Sequence, residues 1–238
     1  MEANTSLPQC WQDVADATAA GINQLVLYGP PGTGKTFTGL TYGINDAGAY
    51  RVICNEDMTS ADVTGHYMPT DNGFQWNYGA VLKAWQGNGV VGGRVVADEI
   101  DRASGDVLSL LLAMFDSPES ASWTHPKTGE VFKPLNGFSV FMTTNLERME
   151  DLPTALADRF PVKIRINQPH PDALTFLSPD IRVAAAMSAD YSRGDRKSLR
   201  SWKAFDKMRQ TLPIETAARL TLGDDWQGIV DTLQVEAI

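Results

Sequence analysis

Cysteine is scarce: Cys10 and Cys54 are the only two in 238 residues. Two thiols cannot build a disulfide framework or a zinc cluster, and such sparing use suits a reducing cytoplasm. No apolar run approaches the roughly 20 residues that cross a bilayer. The opening MEANTSLPQC lacks the basic and apolar segments of a leader peptide. The expectation is a cytoplasmic chain with no membrane association, in which the Asn4-Thr5-Ser6 triplet is a chance sequon. Excess positive charge is missing too. The 20 basic side chains face 29 acidic ones, for a formal net charge of -9. That balance argues against nucleic acid or an anionic surface as the main partner, although it leaves a local basic patch open. Repeats and low-complexity tracts are absent as well. What remains, 43% hydrophobic and 21% charged, is the composition of an ordinary globular protein, long enough for one large domain or a core with a small lid.

Short apolar runs alternate with helical segments along the first two thirds of the chain. NQLVLYG, YRVICN, RVVAD, FSVFMTTN and VKIRI read as buried strands. KTFTGLTYGINDAG reads as a helix of weak propensity, because of its glycines and threonines, and SGDVLSLLLAMFDS as a strong one. This alternation predicts an α/β core with a five-stranded, mostly parallel sheet covered on both faces. Two stretches break the rhythm and read as β-hairpin insertions: GHYMPTDNGFQWNYG, turning at Asp71-Asn72-Gly73, and SWTHPKTGEVFKPLNGF, turning at Lys127-Thr128-Gly129. After INQPHPDAL the strand pattern stops, and helices are expected over about 172–190, 198–211, 214–222 and 225–235. The predicted division is a core over 1–168 and a small helical lid over 169–238.

The first strand runs into Gly29-Pro30-Pro31-Gly32-Thr33-Gly34-Lys35-Thr36, which satisfies G-x-x-x-x-G-K-[ST] between a strand and a helix. Glycines let successive backbone N–H groups turn toward one anion. In such a phosphate loop Lys35 neutralises the β- and γ-phosphates, and the Thr36 hydroxyl ligates Mg²⁺. RVVAD ends in Asp98 and is followed by Glu99, Asp101 and Arg102. Adjacent carboxylates at the end of a buried strand repel each other. Separate duties resolve the repulsion: Asp98 holds the Mg²⁺ shell, and Glu99 polarises the water that attacks the terminal phosphate. Position alone assigns no duty to Asp101 or Arg102.

Taken in order, LVLYGPPGTGKT, VVADEIDRAS, FMTTN and LADRF resemble the motifs of AAA+ ATPases, within them the MoxR/CbbQ-type group related to dynein and midasin modules. The two hairpins match insertions of that group. The resemblance implies a P-loop AAA+ core with a helical lid, and ATP and Mg²⁺ as the bound species, although no readable motif separates ATP from GTP. It implies that Asn145 is sensor 1, which helps to position the attacking water. It gives Arg159 the place of the arginine finger, which reaches a neighbouring subunit's γ-phosphate, and Arg200 that of sensor 2, with Arg193 and Arg196 close by. Asn55 stands where relatives restrain the catalytic glutamate, and Arg102 where relatives have an arginine after the acidic pair, facing the interface.

A finger acting in trans implies a homo-oligomeric ring, a hexamer in such families. Relatives of this size are the ATPase halves of two-component systems, working with a von Willebrand factor A-type adaptor to remodel or activate a protein target. Two other readings stay open: the ATPase subunit of a cobalt or magnesium chelatase, and a nucleic-acid motor or restriction-type NTPase. The hairpin aromatics Tyr67, Phe74, Trp76, Trp123 and Phe132 either grip a target or adaptor, or pack the hairpins in place, since alternation buries one face of any hairpin.

Overall fold

Each of the five apolar runs forms a strand, and together they make one sheet. The computed structural model describes residues 7–71, 73–103, 105–188 and 196–235; Asn72, Arg193 and the 4–6 triplet lie outside the described residues. Helix α1 (Gln9–Ala19) precedes β1 (Gln24–Tyr28), α2 (Lys35–Thr41), β2 (Ala49–Ile53) and α3 (Ser60–Thr64). The first hairpin, β3 (Gly65–Thr70) and β4 (Gly73–Tyr78), leads into α4 (Ala80–Gln86) and β5 (Arg94–Asp98). A 3-10 turn over Ile100–Arg102 and helix α5 (Gly105–Met114) follow, then the second hairpin, β6 (Trp123–Thr124) and β7 (Val131–Phe132). β8 (Ser139–Thr144), α6 (Thr154–Arg159) and β9 (Val162–Arg165) complete this part of the chain.

The sheet order is β2-β5-β8-β1-β9, and β1/β8, β2/β5 and β5/β8 are all parallel pairs. This is the α/β architecture that the alternating pattern predicts. β5 is buried at every position, and Val26, Val95, Ala97, Val140 and Met142 form one core with Leu82, Trp85, Leu111 and Phe160. From β1 the chain crosses two intervening strands to reach the edge at β2. That reversal leaves the carboxyl ends of β1, β5 and β8 side by side, which is where open α/β sheets bind ligands.

Helix α2 is only seven residues long and ends at Thr41, so the helix expected over KTFTGLTYGINDAG forms only in its first half. Gly39 helps to seat it: a Cβ there would stand 3.1 Å from Val96 Cγ1, so any larger residue would press on β5. Its far end is held by Arg94, a residue the sequence reading did not single out. The Arg94 side chain is buried, with Nη1 on the Gly39 and Tyr42 carbonyls, the latter at 2.5 Å, and Nη2 on the Gly43 carbonyl at 3.0 Å. Its Nε reaches Ser139 Oγ, and its guanidinium lies 3.8 Å over the Phe141 ring. A helix leaves its last carbonyls without internal partners, and one planar, charged fork satisfies three here. Burial pulls the Arg94 pKa down to about 10, still far above neutral pH.

The two hairpins are joined by rings. Tyr67 pairs with Trp76 across the first, Trp123 with Phe132 across the second. Trp76 then lies 5.7 Å from Trp123, and His125 sits 4.9 Å from Trp76 with its Nδ1 accepting the Lys127 and Thr128 N–H groups. Tyr67, Trp76, Trp123 and Phe132 therefore pack the hairpins in place, whereas Phe74, near the turn, is 73% exposed.

The chain divides into two compact units, one comprising Ala15–Gly29 with Lys35–Ile164, the other the residues up to Val14, Pro30–Gly34 and the chain from Arg165. The second unit contains α7 (Pro171–Leu174), α8 (Arg182–Ser188), α9 (Leu199–Met208), α10 (Ile214–Thr221) and α11 (Trp226–Val235) around Trp202, Phe205 and Leu222. The single helix expected over 172–190 is broken. Ser178 donates its N–H and hydroxyl to Asp206, and Pro179, which has no N–H to continue a ladder, opens a new 3-10 turn. No helix among the described residues is long and apolar enough to cross a membrane.

Replacing Arg94 with methionine leaves three carbonyls without their donor. The expected outcome is a loss of about 2–4 kcal/mol in urea unfolding, with Arg94→Lys recovering only part because an ammonium cannot span the three acceptors.

Candidate active site

The loop after β1 turns on three glycines with positive φ, Gly29 at 119°, Gly32 at 76° and Gly34 at 103°. These are conformations other residues rarely adopt. Thr33 closes the turn by donating its hydroxyl to the Pro30 carbonyl at 3.1 Å. Lys35 opens α2 and is buried; its Nζ donates to the Gly29 carbonyl at 2.7 Å and to Asn145 Oδ1 at 3.1 Å. In the C-terminal unit, Arg196 Nη2 donates to the Pro31 carbonyl at 2.6 Å, and a Cβ on Gly32 would stand 2.9 Å from Ser198 Cβ. Among the described residues, Arg196 thus meets the loop. Arg200, four residues on, is exposed.

Asp98 ends β5, where three neighbouring elements converge on its carboxylate. Thr36 from α2 donates to Oδ1 at 2.6 Å, and Thr143 from β8 donates to the same oxygen. Arg51 from β2 places Nε 3.1 Å from Oδ2 and ion-pairs that oxygen through Nη2. Burial alone would raise the Asp98 pKa; the Thr143, Thr36 and Arg51 hydrogen bonds outweigh it and hold the group below the usual carboxylate range. An ionised carboxylate beside a hydroxyl is a hard-oxygen donor set that suits Mg²⁺. Thr36 spends its proton on Asp98 and keeps its lone pairs, so both residues fit a magnesium shell.

Glu99 is the only described non-glycine residue with positive φ, at φ 57° and ψ 46°. This left-handed turn costs on the order of 1 kcal/mol and breaks the strand's alternation, which gives the two acids separate partners. Glu99 Oε1 accepts from Asn145 Nδ2 at 3.2 Å, Oε2 pairs with Arg102 Nε at 3.1 Å, and the Glu99 N–H reaches Thr143 Oγ1. The field of the cluster is felt at Cys54, whose thiol is pushed up to about 12 by burial first and then by Asp98, Asp101 and Glu99.

Asn145 therefore joins the phosphate loop to the acidic turn, accepting from Lys35 and donating to Glu99. Asn55 does not take part: its Oδ1 accepts the Asp57 N–H at 2.9 Å, and Glu99 is instead held by Arg102 and Asn145. Arg159 lies apart from these groups, half-exposed, with Nη1 on the Leu112 carbonyl and 3.3 Å from Asp116 Oδ2. Sequence reasoning missed Arg51 and Thr143. Both carry a readable signal, a charged or polar residue in an apolar strand on the face that the neighbouring strand uses for Asp98.

The family model of the AAA domain (dynein-related subfamily) matches residues 24–160, more than half of the chain and all the groups above except Arg196, Ser198 and Arg200. Protein CbbQ of Hydrogenophilus thermoluteolus is 28% identical over 149 residues, which covers 61% of this chain and 54% of CbbQ. The chain thus spans about half the length of the curated relative it matches. A solved structure of a protein from Cytophaga hutchinsonii classed as an ATPase aligns over 69% of this chain and 51% of its own, at 21% identity and a TM-score of 0.44. At that score the superposition adds nothing to the assignment. The motif series, the strand order that gathers it, and the family match over that same span agree: the chain belongs to the dynein-related subfamily of AAA domains.

Proposed function

We propose that the chain binds ATP with Mg²⁺ and hydrolyses it to drive a ring-shaped assembly that remodels or activates a protein target. The bridging amide of Asn145 is the observation that carries this reading. It ties the lysine that would meet the β- and γ-phosphates to the carboxylate that would activate water, and so fixes the spacing of charge neutraliser and base. Gly29 to Thr36 cradle the phosphates, with Thr36 and Asp98 holding Mg²⁺. When bound, the ion screens the phosphate charge and orients the terminal phosphate. Glu99 takes the proton from the attacking water, and Asn145 keeps that carboxylate aimed. Residues 1–168 serve as the nucleotide-binding core and 169–238 as the lid, in which Arg196, with Arg200 beside it, senses the nucleotide.

Arg159 completes a neighbouring subunit's site as the finger. Its permanent charge and planar fork suit a developing phosphoryl charge, and its half-exposed position suits delivery to a second chain. In a working ring, assembly and turnover are then one property. The target is reached through a von Willebrand factor A-type adaptor, as the resemblance of the motifs implies, and the formal charge of -9 disfavours a nucleic-acid track.

Glu99→Gln is expected to keep ATP binding while hydrolysis falls by roughly 10²–10⁴-fold, and Lys35→Ala to lose binding itself; calorimetry beside a phosphate-release assay separates the two. Robust turnover by Glu99→Gln removes Glu99 as the base. Mixing Glu99→Gln chains with Arg159→Ala chains, each inactive alone, should restore activity at about a quarter of the interfaces in a 1:1 mixture. A mixture that stays dead places Arg159 outside the neighbour's site. Steady-state turnover should rise with a protein partner and stay unchanged with DNA or RNA at low salt; strong, salt-sensitive stimulation by nucleic acid overturns the protein-target reading.

A further inference from the structure

We propose that Arg51 is a built-in counter-cation for Asp98, one that moves between the carboxylate and an adjoining acidic depression and so sets how tightly this site takes a divalent ion. The inference rests on the nucleotide reading above and concerns a residue that reading does not use.

The register of the sheet brings the two groups together. In the parallel pair β2/β5, Arg51 is opposite Val96 and Ile53 is opposite Asp98. Strand alternation then puts Arg51, Val96 and Asp98 on one face, the face on which Gly39 of α2 packs. From there Arg51 Nε and Nη2 both address Asp98 Oδ2, while the hydroxyls of Thr36 and Thr143 both donate to Oδ1. The oxygen left for a cation's water shell is thus the one the guanidinium engages. Arginine carries its charge at every working pH, so it cannot yield by losing a proton; it can yield only by moving.

There is somewhere for it to move. The Asp98 side chain is 10% exposed, but that of Arg51 is 44% exposed. Arg51 also lines a depression of about 480 Å³ together with Ile53, Asn55, Asp57, Met58 and Asp62. Asp62 is fixed there as a carboxylate, its Oδ2 accepting the Thr59 N–H at 2.8 Å and the Thr59 hydroxyl at 2.9 Å. Asp57 is a second carboxylate lining the same depression. A guanidinium leaving Asp98 therefore exchanges one carboxylate for two, at a more exposed position where each single pair is weaker and two make up for one. While Arg51 stays on Asp98, it supplies the countercharge that an acid beside Glu99 and Asp101 requires. While it is away, it no longer repels a doubly charged ion at Oδ2.

The test is a Mn²⁺ titration of the full chain, followed by electron paramagnetic resonance in the presence of a non-hydrolysable ATP analogue. Analogue affinity is measured separately in EDTA. Arg51→Gln should bind Mn²⁺ about ten-fold more tightly than wild type, with analogue affinity in EDTA little changed. Arg51→Lys keeps the charge and should stay near wild type. Asp57→Asn leaves the Asp98 pair intact but weakens the second station, so its Mn²⁺ affinity should fall several-fold. Unchanged or weaker Mn²⁺ binding by Arg51→Gln overturns the inference alone, provided that wild type binds the analogue. Should Arg51→Gln fail to fold, unchanged Mn²⁺ binding by Asp57→Asn overturns it instead. A wild-type chain that binds no analogue overturns the nucleotide reading and this inference with it.

Discussion

The grip of β5 on α2 is the constraint from which the rest of the site follows. Arg94, the first residue of the strand, satisfies the carbonyls at the helix's C-terminal end. Asp98, the last, receives the hydroxyl of Thr36 at its N-terminal end. Between them Val96 meets Gly39, where the absent Cβ lets helix and strand touch. Five strand residues span about 13 to 17 Å and seven helical residues about 10 Å, so one strand can hold one short helix at both ends. A helix of seven residues, rich in glycine and threonine, has little stability of its own. Tertiary contacts therefore fix where Lys35 sits, and a buried arginine at the opposite pole of the helix is part of the site without touching it.

The acids at the other end of β5 illustrate how a fold accommodates charges it cannot spread out. Asp98 stays in the strand's alternation and is surrounded by donors from α2, β8 and β2. Glu99 leaves that alternation through a left-handed residue and finds Asn145 and Arg102. The two carboxylates share no side-chain partner, so each can be tuned separately. The cost is a strained backbone at one residue, and the compensating contacts come from β8: Thr143 bonds both Asp98 and the Glu99 N–H, and Asn145 follows directly.

Much of this was readable in the sequence, for physical reasons that also explain the remainder. Five strands, two hairpins and the phosphate loop declare themselves because apolar runs, turn residues and glycine spacing are local signals. Asp98, Glu99 and Asn145 follow because each ends a recognisable strand. Arg51 and Arg94 escaped notice because their meaning lies in register: an arginine within or at the start of a strand is unremarkable until the neighbouring element is known. Arg196 was named only as a neighbour of Arg200, because choosing among nearby arginines needs the backbone that orients them. The break at Pro179 was hidden by apolar residues that keep helical spacing on either side of it, while the polar clamp from Asp206 arrives from 28 residues away in sequence.

Helix α5 joins two features described separately. It begins just beyond the turn that carries Glu99 and Arg102, and the Leu112 carbonyl and Asp116 beside its far end hold Arg159. Ten helical residues make a strut of about 15 Å that bends little under thermal force. One end of that strut adjoins the acidic turn; the other holds Arg159, which α6 carries, at the surface. The two ends of one ten-residue helix thus adjoin a carboxylate turned toward Asn145 and a cation turned outward, and the helical part of the distance between them is set by a count of residues.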